Sequence, residues 1–211
     1  MKTKIKKLYN LFHSRRDVYA ECYFDARSKR YAYRSVKKKY TLDLLEKHVT
    51  DKKCLGIGIY PLLEGNKTKW ISADFDYHSD QERKETEDAL ARMKEFAEEV
   101  GIYWYLEVSK SGSGAHVWIF FEEEIDSWKA RRFMGGFLLA CGADKLSSMD
   151  RFFPSQDRLY ETSKGFGNLI HMPFSAHFID KGTYFNINDG IFRNTSDDIS
   201  VFLDEVQPHT L

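Results

Sequence analysis

Only four prolines interrupt the 211 residues, and the three cysteines, Cys22, Cys54 and Cys141, stand far apart with no CxxC pair. That spacing supports neither a disulfide framework nor a zinc knuckle. No apolar run reaches the ~18 residues of a membrane span. The basic opening residues lack the apolar segment of a signal peptide, so the chain reads as cytoplasmic with no membrane partner. A GxxxxGK[ST] run is also missing, which argues against an ATP-driven motor and makes any helicase a separate domain or protein. With 42% hydrophobic and 15% aromatic residues and no long low-complexity stretch, the composition is that of a globular chain. Its length allows one substantial core, or two lobes sharing an interface.

Net formal charge is zero, which conceals an asymmetry. Residues 1–40 carry thirteen Lys and Arg against three acids, a local balance of +10 that the remainder cancels. A basic arm of this kind suggests a surface facing nucleic acid or phosphate, with Arg15, Arg16, Lys37, Lys38 and Lys39 as its candidate contacts. Tyr19, Tyr23, Phe24, Tyr31, Tyr33 and Tyr40 alternate with the charges. Bases stack on such rings while cations hold the backbone, although the same rings serve equally well as core.

Periodicity gives a coarse map. A short helix is expected over 4–12, two strands over 18–24 and 31–34, and a helix over 41–49 capped by Thr41. Residues 55–76 read as a hairpin, with Gly56 and Gly58 on one face permitting close approach of another element. Ala89, Leu90, Met93, Phe96, Ala97 and Val100 form the apolar stripe of a helix over 81–100, stopped by Gly101. Near-continuous apolar runs at 102–108 and 116–121 suit strands buried on both faces, and 128–141 is a further helix. The order β-β-α-β-β-α indicates an antiparallel-rich α+β fold with helices on one face of the sheet, not a Rossmann fold. Beyond it come a short strand over 183–187 and an acidic helix over 197–206.

Two stretches carry the chemistry. Strand residues two apart share a face, so Asp74 and Asp76 point the same way at the end of the run 70–76. Two such carboxylates repel unless a cation lies between them, and hard oxygen ligands suit Mg2+ or Mn2+; the alternative is a solvated strand end. The second stretch, 107–121, places Ser109, Lys110, Ser111, Gly112 and Gly114 in a flexible loop and delivers His116 at the start of the returning strand. Backbone amides of such a loop can approach phosphate oxygens, whereas the plainer reading is a hairpin turn.

A third segment, 149–174, mixes charge, glycine and aromatic residues without core periodicity. It contains Phe153, Pro154, Gln156 and Asp157, then Gly165, Gly167, Asn168, Leu169 and Ile170. The succession DxD, SGxGxHxWxFF, FPxQD and GxGNLI resembles the archaeo-eukaryotic primase superfamily, in particular the primase-polymerases of TOTE conflict systems and their CRISPR-associated relatives. That resemblance implies an RRM-like catalytic half packed against a small N-terminal α/β half, with the active cleft between them. Residues 1–54 would supply the basic N-terminal part of the first lobe and 55–211 the catalytic core of a single domain, either a whole protein or one excised from a longer protein. It further implies a template-directed nucleotidyltransferase that makes or extends primers from dNTP or NTP on a single-stranded DNA template, with a helicase or CRISPR and other defence proteins as partners. Two Mg2+ or Mn2+ ions would be held by Asp74, Asp76 and a late acid. Asp157 aligns best with that acid; Asp150, beside Arg151, is its rival. Ser109, Ser111, the Gly112–Gly114 backbone and His116 would grip the triphosphate, helped by Lys110, with Asn168 near sugar or phosphate. The family's S-x-H signature has Gly114 at its first position here, which passes the serine role to Ser111 or to backbone amides.

Two other classes fit parts of the pattern. A metal-dependent nuclease would use the same carboxylates but leaves the Ser/Gly loop without a role. A non-catalytic RRM-like binder of single-stranded nucleic acid would gain nothing from burying carboxylates, which is costly.

Overall fold

A computed structural model describes residues 2–159, 165–180, 182, 184–186 and 199–210. Helix α1 (Lys2–Leu11) buries Ile5 and Leu8 and turns its lysines to solvent. Strands β1 (Tyr19–Asp25) and β2 (Arg30–Val36) form an antiparallel hairpin. At its turn the Asp25 carboxylate accepts from the Arg27 amide at 3.0 Å and the Ser28 hydroxyl at 2.8 Å. Helix α2 (Leu42–Thr50) starts where the Thr41 hydroxyl accepts from the Leu44 amide at 3.3 Å. Strands β3 (Ile57–Ile59) and β4 (Lys67–Asp76) precede α3 (Asp80–Val100), which is capped by Ser79 and ended by Gly101 in the left-handed conformation. There follow β5 (Tyr105–Val108), β6 (Gly114–Asp126), α4 (Ser127–Ala140), β7 (Met149–Phe153), β8 (Ile170–His171), β9 (Tyr184–Asn186) and α5 (Ile199–Glu205). Thr183, Ile187 and the expected start of the last helix at residue 197 lie outside the described residues. No helix among the described residues is long and apolar enough to cross a membrane.

These strands make two antiparallel sheets, ordered β2-β1-β3-β8 and β7-β4-β6-β5-β9, and the fold is α+β. The expected hairpin over 55–76 does not form, because β3 joins the first sheet and β4 the second. Tyr60, Leu62 and Leu63 are buried, so the connection runs between the sheets instead of turning back. Gly58 is required where β3 meets its neighbours, since a Cβ there would sit 2.7 Å from Leu169 Cδ1 and 3.2 Å from Ala20 Cβ. The N-terminal sheet thus draws β3 and β8 from beyond residue 54, and the two halves interleave in sequence. Strand β7 was hidden because Asp150 and Arg151 interrupt its apolar residues.

Both faces of the larger sheet are covered, which explains its near-continuous apolar strands. One face presents Ile71, Ala73, Phe75, Val117, Ile119 and Phe121 to Ala89, Leu90 and Met93 of α3 and to Met134 and Leu138 of α4. The other presents Trp70, Trp118 and Phe120 to a core shared with Leu8, Phe12, Ile57, Ile59, Ile170 and Phe202. Phe12 ties the halves together: its ring centroid lies 5.2 Å from Trp118 and 5.1 Å from Phe120, both edge-on. Phe12→Ala is therefore expected to cost about 3–5 kcal/mol in denaturant unfolding. A loss under ~1 kcal/mol would mean that the halves do not share this core.

Candidate active site

Register assembles the site. Antiparallel pairing sets Asp74 opposite His116 and Asp76 opposite Gly114, while the next strand sets Glu107 opposite His116. Paired residues share a face, so Asp74, His116 and Glu107 form a row across β4, β6 and β5, on the side away from α3 and α4. On the other flank Asp74 pairs with Arg151 and Phe75 with Met149, which leaves Asp150 as the extra residue of a bulge. Bulges re-aim side chains. Here Asp74, Asp76 and Asp150 each bring a carboxylate oxygen within 4.8 Å of the others.

Asp74 is buried, whereas Asp76 and Asp150 open to solvent. Partial enclosure first, then repulsion from Asp74 and Asp150, raises the Asp76 carboxyl above its ordinary range. Gly114 makes room for it: a Cβ at that position would lie 2.8 Å from Asp76 Oδ1 and 2.7 Å from the Phe75 carbonyl. Asp74 Oδ1 is buried without a hydrogen bond; His116 Nε2 approaches it to 3.3 Å but is poorly aligned. An orphaned carboxylate oxygen beside two exposed acids fits a hard divalent cation.

His116 Nδ1 donates to Glu107 Oε2 at 2.7 Å, and Trp118 Nε1 donates to the same oxygen at 2.8 Å. Burial disfavours an imidazolium, yet Glu107 and Asp74 outweigh it and push His116 up to about 10. Full burial raises Glu107 as well, against the pull of His116 and Trp118. The proton belongs on His116, because two donors converging on one oxygen are satisfied by a carboxylate. Glu107 and Trp118 were missed in the sequence; the signal was one acid inside an otherwise apolar run, set two residues before Ser109.

In the loop the Ser109 and Ser111 hydroxyls lie 2.9 Å apart, and Ser111 Oγ also accepts from the Ser113 amide at 3.2 Å and its hydroxyl at 3.0 Å. The Gly112 amide donates to the Ser109 carbonyl at 2.8 Å. The Gly112 and Ser113 amides, expected to cradle phosphate, are thus used within the loop; Ser111 and Ser113 are exposed, and Ser109 is buried. Lys110 Nζ reaches the other sheet, 5.0 Å from the Tyr33 ring centroid.

Other expected residues are placed elsewhere. Asp157 is not in the carboxylate group; it is paired with Arg131 beside α4, and the bulge puts Asp150 in its place. The Asn168 amide spans a turn, accepting from the Ser155 amide at 3.0 Å and donating to the Phe152 carbonyl at 2.9 Å, so its polar atoms hold backbone. Arg15 is paired with Asp17 at 2.6 Å. Arg16 stacks 3.4 Å from the Tyr9 ring centroid and donates to the Tyr9 carbonyl at 2.7 Å. Lys37, Lys38 and Lys39 are exposed between β2 and α2.

One sheet face thus carries a carboxylate trio, a buried histidine–glutamate pair and a serine loop. Residues 37–210 match the archaeo-eukaryotic primase domain of the TOTE conflict system, and the chain belongs to that family of primase-type nucleotidyltransferase domains. No curated protein matches. Among solved structures, the polymerase domain of Mycobacterium tuberculosis ligase D in complex with DNA is similar, with 7% identity and a TM-score of 0.44 over 66% of this chain and 61% of that one.

Since folded His116 sits near 10 against 6.5 unfolded, its stabilising charge is fully present below about pH 6.5 and fades as pH climbs towards 10. Glu107→Gln keeps an acceptor for Trp118 but removes a charge, so the His116 pKa should fall in an NMR titration. An unchanged value would show that Glu107 does not control that proton.

Proposed function

We propose that this chain is a template-directed primase-polymerase that joins nucleoside triphosphates on a DNA template. One observation carries the reading: Asp74, Asp76 and Asp150 converge within 4.8 Å on the face that also presents His116 and the Ser109–Ser111 hydroxyl pair. Asp74, Asp76 and Asp150 would hold the Mg2+ or Mn2+ ions of the family reading. When bound, such ions neutralise phosphate charge and make a primer 3′-hydroxyl easier to deprotonate. The chain's own groups supply positioning and fixed charge, the main resources for phosphoryl transfer. His116, held as an imidazolium by Glu107, directs a charged N–H towards the nucleotide side of Asp74. Ser109 and Ser111 offer hydroxyls to phosphate oxygens, and Lys110 closes the cleft against Tyr33. Arg151 pairs with Asp150 at 2.6 Å and would be free to meet phosphate if Asp150 held a cation.

Primer-extension assays test the reading. Asp74→Ala, Asp76→Ala and Asp150→Ala should each abolish extension, while Asp157→Ala retains it. Because Asp76 is raised by enclosure and repulsion, its ionised form strains the metal-free protein at neutral pH. Asp76→Ala should therefore hold or raise the melting temperature while losing the rise that Mn2+ gives the wild type. Loss of activity in Asp157→Ala with Asp150→Ala active would reverse the assignment.

DNA contact by the exposed lysines has a separate measure. Replacing Lys37, Lys38 and Lys39 with Ala should flatten the salt dependence of single-stranded DNA binding by roughly 0.7 in slope per lost phosphate contact. An unaltered slope would make the run a solvated face.

A further inference from the structure

The Asp157–Arg131 pair belongs to a pocket of about 660 Å³ on the helix side of the larger sheet, also lined by Trp128, Arg132, Phe152 and Arg158. Phe152 pairs with Ala73 and so points away from the Asp74 face. The pocket lies near the start of β4, where Lys67 pairs with Asp126. Phe152 brings one end of the pocket to the level of Ala73 on the opposite face, but the Trp128 end lies beside Lys67, seven strand residues from Asp74, about 23 Å at ~3.3 Å per residue.

Its chemistry is cationic and aromatic. Trp128 is 43% exposed, with the Arg132 guanidinium 5.2 Å and the Lys129 ammonium 5.7 Å from its ring. Asp157 and Asp126 engage Arg131 and Lys129. Arg132 and Arg158 have no carboxylate partner among the described residues, and Arg131 Nε is buried with no acceptor. Helix α4 starts at the same place without a side-chain cap, so the positive end of its dipole adds to these charges. An exposed ring that stacks a base, flanked by cations that hold phosphate, is the pattern of single-stranded nucleic-acid binding.

We propose that this pocket is a second nucleic-acid site, separate from the carboxylates, that takes one nucleotide of a single strand with its base on Trp128 and its phosphate against Arg131 and Arg158. The proposal rests on the polymerase reading for the presence of a strand. Strand β7 is an edge of the sheet, so DNA leaving the carboxylates past Arg151 reaches the pocket around that edge. At ~3.4 Å per stacked nucleotide the separation corresponds to roughly seven nucleotides.

The test is fluorescence anisotropy with six- and sixteen-nucleotide oligothymidylates on wild type, Trp128→Ala, Trp128→Phe and Arg158→Ala, with melting temperatures recorded. Wild type should gain affinity with length. Trp128→Ala should lose about tenfold on the longer strand, Arg158→Ala should also weaken it, and Trp128→Phe should keep most of it, all at unchanged melting temperature. Equal affinity of wild type and Trp128→Ala for the long strand overturns the site. Thymidine monophosphate binding at Trp128 as tightly as the strand also overturns it, and assigns the pocket to free nucleotides. Extension of a short primer–template by the same preparations judges the polymerase reading separately, since neither Trp128 nor Arg158 touches the carboxylate face.

Discussion

Everything at the centre depends on the register of β4 against β6. Side chains alternate with a period of two, so a slip of one residue would turn Asp74 and Asp76 into the α3–α4 core and bring Phe75 to the cleft. The register is locked at two points, both on the site side of the irregularity between Thr68 and Trp70. Towards the middle, Trp70 and Trp118 are fully buried with ring centroids 4.9 Å apart. At the loop end the Ser109 amide donates to the Gly114 carbonyl at 3.0 Å, and Gly114 leaves no space for any side chain beside Asp76. Fold stability and site geometry are therefore one constraint, since the aromatic packing that holds the halves together also aims the carboxylates.

The charges on that face do not balance. Asp74, Asp76, Asp150 and Glu107 meet two basic partners, His116 and Arg151. Glu107 pairs with His116 in full burial through Oε2, its Oε1 having no hydrogen-bond partner, whereas Arg151 serves Asp150 at the surface. Asp76 is left facing like charge, and Asp74 Oδ1 has His116 Nε2 at 3.3 Å but no aligned hydrogen bond. Burying ions without full pairing is expensive, and a structural ion-pair network would close such a gap with another Arg or Lys. The gap falls where three carboxylate oxygens converge. Such a convergence suits a hard divalent cation.

The helices, the Ser/Gly loop and the DxD strand were legible because each rests on local chemistry: the Thr41 cap, the stripe from Ala89 to Ala97 (Val100, expected to continue it, is exposed), the stop at Gly101, and alternation at 70–76. What failed depended on contacts distant in sequence. Leu55 to Asp76 reads as two adjacent strands, yet a buried connection sends them to different sheets. Asp157 fits a family pattern better than Asp150, but a bulge against Phe75 decides which acid reaches Asp74. In the basic arm, counting charge does not reveal that Arg16 stacks on Tyr9 or that Arg15 pairs with Asp17. Glu107 was visible as an acid in an apolar run, although its meaning emerged only when β5 placed it opposite His116.

The central claim is that β4 and the β7 bulge build one cation site from Asp74, Asp76 and Asp150, with His116 facing the nucleotide. Anomalous diffraction from crystals grown with Mn2+ and a non-hydrolysable dNTP measures this directly. Manganese is expected between those three carboxylates, with the triphosphate against His116 and Ser111 and no manganese on Asp157. Manganese on Asp157, or a triphosphate bound away from the β4–β6 face, would contradict it.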